Sequence, residues 1–214
     1  MELISTTNTP LPDWTWEFHG HHCPFMPIGY RVGLAAMREL GVERVKDHGV
    51  FALIEIGVGH PQTCMADGVM SATGCTYGKL MMERLGYGKM AMVLHAPGKG
   101  AVRVYLRSEF QDELAKQEFF SYRKRGVEPS DIPKEVTERA VAVVLGATDE
   151  QMFTVSRLPD FAFGRPKGSF AKVKCGRCGE YVFERYARSV EGKVVCMPCS
   201  GYTESRLDPL KGGQ

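Results

Sequence analysis

The sequence predicts an α+β fold, a mixed sheet packed by helices, followed by a small C-terminal treble-clef-like zinc-finger module. Three observations point there. Strand-like and helix-like segments are interspersed along residues 20–158 with no internal repeat. A Gly/Pro-bearing stretch at residues 159–169 reads as a linker. Beyond it, Cys175, Cys178, Cys196 and Cys199 form C-x2-C-x17-C-x2-C, the spacing of a closed structural zinc site. With 214 residues, 43% of them hydrophobic, the chain can build one sizeable core and a small appendage. The expected division is a core domain over residues 1–164, then linker and finger over residues 165–214.

In chain order, residues 1–20 read as an irregular lead-in where Trp14, Trp16 and Phe18 alternate like an edge strand. A helix follows His21-His22-Cys23-Pro24, because Tyr30, Gly33, Leu34, Met37 and Leu40 recur at helical spacing and Gly41 stops it. Pro24 and Pro27 suit its first turn, where a missing N–H leaves no helical bond unmade. Cys23 therefore sits at a helix N-terminus. Residues 50–58 read as a strand broken by Gly59-His60-Pro61, and Thr63 as the N-cap of a short helix over residues 64–70. Cys64 thus also falls in a first helical turn. Gly74-Cys75-Thr76-Tyr77-Gly78-Lys79 reads as a glycine-flanked turn or short strand. Residues 89–95 and 101–106 are two strands joined by a tight Pro97-Gly98-Lys99-Gly100 turn. One helix is expected over residues 110–125, and a second after Ser130-Asp131 with Val136, Ala140, Val143 and Val144 on one face. Residues 152–158 form a further strand.

The formal net charge of +2 is unevenly spread. Residues 165–214 hold ten Lys/Arg against five Asp/Glu, and a zinc ion on four thiolates would cut that excess to about +3. Such a tail permits contact with nucleic acid or an acidic protein without requiring it. No apolar run approaches membrane-spanning length and no signal-peptide pattern is present, so the expectation is no membrane association and a cytoplasmic location. In a reducing compartment, clustered cysteines read as metal ligands or reactive thiols.

In the tail, each C-x-x-C turn offers two sulfurs to one ion from a tight knuckle, with Gly176 and Gly179 supplying backbone freedom. Tyr181-Val182-Phe183 and Lys193-Val194-Val195 read as a hairpin turned around Glu191-Gly192, and residues 200–207 as a short helix. So few residues build little core, so bound metal must supply folding free energy, on the order of 10 kcal/mol. Four thiolates leave no open position, which makes this zinc structural. A redox dithiol would instead sit at a strand-to-helix junction of an α/β domain.

The first eighty residues hold a second concentration of ligand types: His19, His21, His22 and Cys23, then His60, Cys64, Asp67 and Cys75. Neutral imidazole with thiolate suits zinc, or iron or nickel where the geometry is open. Asp67, one turn after Cys64, can orient a ligand or shuttle a proton, and Tyr77 and Lys79 can face an anionic substrate group. A plainer reading competes, because free cysteines often pack as small hydrophobes and single histidines serve as caps or core residues. Spacing leaves both open.

Taken together, these segments resemble the formylmethanofuran dehydrogenase FmdE family. The resemblance rests on Phe18-His19-Gly20-His21-His22-Cys23-Pro24 with Ile28-Gly29-Tyr30-Arg31, on Cys64-Met65-Ala66-Asp67-Gly68, and on Thr73-Gly74-Cys75-Thr76-Tyr77-Gly78-Lys79. It covers most of residues 15–110. It implies an α+β core with a metal pocket drawn from His19, His21, Cys23, Cys64, Asp67 and Cys75. It also implies a methanogenesis-related role in one-carbon redox metabolism, partner enzyme subunits, and an intertwined homodimer in which one chain's finger packs on the other's core. Members carry a small residue after Cys-Pro; here Phe25-Met26-Pro27 stands there, bulk expected at the pocket mouth. No pterin-binding region is readable, so the molybdenum or tungsten chemistry of the namesake enzyme is not expected in this chain.

Three roles follow. A zinc-dependent accessory protein would hold a second ion, zinc, on His21, Cys64 and Cys23 or Cys75, with one position open for water or substrate. Cys64 and Asp67 would then stand at the reacting centre, Asp67 as orienter or proton acceptor. A non-enzymatic adaptor would bind nucleic acid or protein through the finger, where Arg177, Arg185, Arg188 and Lys193 interleave with Tyr181, Phe183 and Tyr186. A thiol enzyme would use Cys64 or Cys23 as nucleophile.

Overall fold

The computed structural model describes residues 11–57, 59, 62–164 and 168–202; the expected break at His60-Pro61 and most of the helix expected over residues 200–207 lie outside these. The chain divides into two compact units, Met1–Phe163 and Gly164–Gln214. No helix among the described residues is long and apolar enough to cross a membrane.

The first unit opens with helix α1, Asp13–His19, where alternating aromatics suggested an edge strand. Local chemistry overrides the alternation. Pro12 is extended and starts the turn, Thr15 Oγ1 donates to its carbonyl at 2.6 Å, and Gly20 ends the helix at φ 84°. Helix α2, Phe25–Leu40, follows Pro24 and stops at Gly41, φ 66°. Its buried stripe includes Met26, Ile28, Val32 and Ala36. Phe25 meets Phe120 edge-on at 5.7 Å, and Met26 is fully buried. The bulk after Cys23-Pro24 therefore fills core rather than a pocket mouth.

Strand β1, Phe51–Ile54, is shorter than expected but buried throughout. Helix α3 is Met65–Thr73, with Cys64 rather than Thr63 at its N-cap. A five-stranded sheet is completed by β2 (Met82–Arg84), β3 (Ala91–Ala96), β4 (Gly100–Leu106) and β5 (Phe153–Leu158), in the order β2-β1-β3-β4-β5. Strands β1 and β2 are parallel and the other pairs antiparallel. Three-residue β2 has too short a period to read from sequence. One sheet face, with Ala52, Ile54, Met92, Leu94, Val102 and Val104, joins the main core with α2. On the other, Leu53, Val93 and Ala101 lie under Leu85, Leu158, Phe161 and Phe163.

The helix expected over residues 110–125 is two: α4, Ser108–Ala115, and α5, Glu118–Lys124. At about 100° per residue, a continuous helix would point Phe119 away from Phe110. The break at extended Gln117 lets both be buried. Helix α6, Lys134–Gly146, is tied down by buried Arg31, whose guanidinium donates to the Val144 and Ala147 carbonyls at 2.7 Å each. The same guanidinium pairs with Asp149 at 2.6 Å. Asp149 begins α7 (Asp149–Met152), closed by a Thr148/Gln151 capping box.

Helices α2 and α3 touch backbone to backbone. A Cβ on Gly29 would lie 2.0 Å from the Met65 carbonyl oxygen, and one on Gly68 2.1 Å from that of Met26. A Cβ on Gly33 would lie 2.7 Å from Ala72 Cβ. The contacts advance together along both helices, so the two run parallel with N-termini side by side.

In the second unit, β6 (Lys172–Lys174) pairs with β7 (Tyr181–Phe183), and β8 (Arg188–Val190) pairs with β9 (Lys193–Val195). The hairpin around Glu191-Gly192 therefore joins Arg188–Val190, not Tyr181–Phe183, to Lys193–Val195. A strand pairs with the segment its turn returns beside, and the first knuckle returns β7 onto β6. Helix α8, Met197–Ser200, begins before the expected position, with Pro198 in its first turn.

Replacing Gly29 by Ala should destabilise the protein by about 3 kcal/mol or more, because no rotamer relieves a clash with backbone. Gly146→Ala, where a Cβ meets nothing within 4 Å, should change stability by less than about 1 kcal/mol. Urea midpoints of the two variants distinguish this from a general intolerance of glycine replacement.

Candidate metal centres

Two loops feed the core cluster. The turn after α1 carries His21 and Cys23, with His19 at the end of the helix itself, and the residue before α3 is Cys64. One ligand atom from each of His19, His21, Cys23 and Cys64 lies within 4.8 Å of the others. Cys23 Sγ is 3.5 Å from His19 Nε2, and Cys64 Sγ is 3.8 Å from His21 Nε2. Those spacings are within the reach of weak sulfur hydrogen bonds. They match donors around one tetrahedral zinc, which metal–ligand lengths of ~2.0–2.3 Å hold roughly 3.3–3.8 Å apart.

Asp67, in the first turn of α3, accepts from His19 Nδ1 at 2.7 Å. That contact leaves Nε2 facing the sulfurs, the arrangement by which an outer carboxylate fixes the tautomer of a metal-binding histidine. Burial works against a charged His19, but the bonds to Asp67 and Cys64 outweigh it and raise its pKa to about 9. The Cys23 contact, helped by the His19 and His21 rings, holds the Cys64 thiol well below its ordinary range despite burial. The same contact, with burial, pushes Cys23 up.

Cys75 is not brought into this cluster. It is fully buried in the hydrophobic core, its thiol donates to the Val50 carbonyl at 3.5 Å, and burial pushes its pKa up. Its neighbour Gly74 fixes this course, since a Cβ there would meet the Val45 carbonyl oxygen at 2.0 Å. Lys79 donates to the Lys46 carbonyl at 3.1 Å, and Tyr77 is exposed. His22 turns outward, stacked on Trp16 at 4.4 Å with Nδ1 2.7 Å from Glu138 Oε1. Trp16 and Glu138 thus hold the loop between His21 and Cys23. Nothing in the sequence marks that role, because Glu138 is 116 residues away from His22.

The tail brings Cys175, Cys178, Cys196 and Cys199 within the same 4.8 Å limit. Cys175 Sγ accepts backbone N–H groups from Arg177, Cys178 and Cys196 at 3.3–3.5 Å. Chiefly the Cys178 and Cys196 donors lower its pKa to about 6. Cys178 and Cys196 sulfurs lie 3.9 Å apart. Backbone N–H groups converging on a thiolate are what a zinc knuckle requires, and the donor set fits that ion. In the core, the His2Cys2 set fits zinc equally.

The family described as "FmdE, Molybdenum formylmethanofuran dehydrogenase operon" matches residues 18–154. A curated relative, a probable S-adenosyl-L-methionine-binding protein of Archaeoglobus fulgidus, is 28% identical over 203 residues and covers 86% of this chain. This chain spans about half of that relative's length, 51%. A crystal structure of a tungsten formylmethanofuran dehydrogenase FmdE-like protein from Syntrophus aciditrophicus shares the fold, with a TM-score of 0.56 and 22% identity. The match covers 89% of this chain and 90% of that one.

Asp67→Asn should weaken binding of the core metal by about 10- to 100-fold without unfolding the protein. Cys75→Ala should leave metal affinity unchanged. Zinc competition against a chromophoric chelator measures both, and a loss of affinity in the Cys75 variant would place that thiol among the ligands.

Proposed function

This chain belongs to the FmdE family, and from that premise we propose that it is a zinc-dependent accessory protein of one-carbon redox metabolism. The observation that carries the metal assignment is the convergence of His19, His21, Cys23 and Cys64 donor atoms within 4.8 Å. In this reading all four hold one zinc ion, in place of the three-ligand set with a vacant position expected from sequence. Zinc held there would supply Lewis acidity. Asp67 keeps the proton on His19 Nδ1 and so keeps Nε2 free to bind. Both cysteines bind metal as thiolates, so the pair would release its remaining thiol protons when metal binds.

The tail cysteines hold a second, structural zinc. A knuckle between β6 and β7, a β8–β9 hairpin and a helix bearing Cys199 support a treble-clef arrangement. The family's description, which names the formylmethanofuran dehydrogenase operon, supports the accessory role. We place the protein in the cytoplasm as a homodimer that meets the subunits of such an enzyme.

Anaerobically purified full-length protein should contain two zinc ions per chain by elemental analysis. Cys64→Ser should retain one, and Cys178→Ser should retain the other. Loss of both ions together from Cys64→Ser, or of neither, would overturn the two-site reading. A tagged chain drawn from its own cells should carry molybdenum or tungsten in the eluate; an eluate with zinc alone would remove the accessory role.

A further inference from the structure

The β6–β7 ribbon pairs Lys172 with Phe183, Val173 with Val182, and Lys174 with Tyr181. Side chains alternate across a strand, so one face carries Lys172, Lys174, Tyr181 and Phe183 and the other Val173 and Val182. The valines are half-buried, while all four residues of the first face are exposed. Tyr181 is 61% exposed and Phe183 49%. Lys172 Nζ lies 4.5 Å from the Tyr181 ring centroid and Lys174 Nζ 5.5 Å. The same pairing recurs in this unit, with Arg185 over Tyr186 and Arg188 over Tyr202 at 5.6 Å each. Glu180 and Glu184 flank the ribbon, yet residues 165–214 still hold ten basic groups against five acidic ones.

Rings and lysines alternating on one exposed face restrict the occupant. The centre of a protein–protein interface is rich in aromatics but depleted in lysine, whereas here two ammonium groups crowd the main ring. A polyanion with flat apolar faces satisfies both groups at once. We propose that this face binds single-stranded nucleic acid, with unpaired bases stacked on Tyr181 and Phe183 and phosphates beside Lys172 and Lys174. A duplex hides its base faces, so it can use the lysines but not the rings. This surface belongs to the second unit alone, and its assignment does not depend on the accessory role.

Fluorescence anisotropy of the zinc-loaded full-length chain with labelled oligothymidylate of about 20 nucleotides tests the assignment. Binding should be tighter than to a duplex of equal length. Tyr181→Ala should weaken it by about tenfold or more, the loss expected for one stacked base, and Tyr181→Phe should restore it. Replacing Lys172 and Lys174 together by Gln should weaken binding and flatten the dependence of log affinity on log salt by about 1.4, two single-strand phosphates' worth. Zinc content and circular dichroism, unchanged in each variant, exclude unfolding. No binding at low salt, equal affinity for duplex, or indifference to Tyr181→Ala would overturn the proposal. So would a Tyr181→Ala variant whose only change is in oligomeric state, which would make the face a contact between copies.

Discussion

The core metal cluster depends on α2 and α3 crossing so closely that their backbones touch. Gly29 and Gly33 on one helix face Met65, Gly68 and Ala72 on the other, where added Cβ atoms would meet their neighbours at 2.0–2.7 Å. A parallel crossing at that distance puts both N-termini at one end. Cys23 stands just before the start of α2 and Cys64 just before that of α3, so the crossing brings together sulfurs that are far apart in the chain. Two positive helix ends side by side repel, and a thiolate between them offsets that repulsion. The Cys64 position is thus favourable for negative charge before any metal is considered.

How much of this was legible in the sequence varies with the range of the interaction. Helix α2 follows from its own periodicity and its Gly41 stop, and the β3–β4 hairpin from Pro97-Gly98-Lys99-Gly100. These signals are local, and the structure follows them. At α1, three aromatics at a period of two mimic a strand, although Pro12, Asp13 and Gly20 are ordinary helix boundary residues. The split between α4 and α5 depends on Phe110 and Phe119 sharing one core, which no local pattern reveals. Cys75 illustrates the limit best. It lies within a dozen residues of Cys64, and only its burial and its hydrogen bond to the Val50 carbonyl show it facing the core.

The two cysteine clusters differ in what their folding rests on. The core cluster hangs from a unit whose interior is already closed by Met26, Ile28, Met65, Val69 and the inner sheet face, all essentially inaccessible to water. Its helices have reason to form without an ion. The tail has no such reserve. Among its described residues only Cys175 and Val195 are buried, and its strands are three residues each. Ribbons of that size are marginal in water without a further cross-link, and four sulfurs on one ion would be that cross-link.

Charge accounts for the choice of donors at each place. A divalent ion on two thiolates and two neutral imidazoles would make a centre with no net charge, which half-buried surroundings hold at little cost in lost hydration. Four thiolates on the same ion leave two negative charges, and such a centre must be solvated or fed by hydrogen-bond donors. The tail supplies both: three backbone N–H groups reach Cys175, and Cys178 is exposed. Exchanging the donor sets would place a dianion at the half-buried ends of α2 and α3, and a neutral centre where backbone donors have been arranged for charge. Histidine in the core and cysteine alone in the tail therefore follow the backbone donors available at each site.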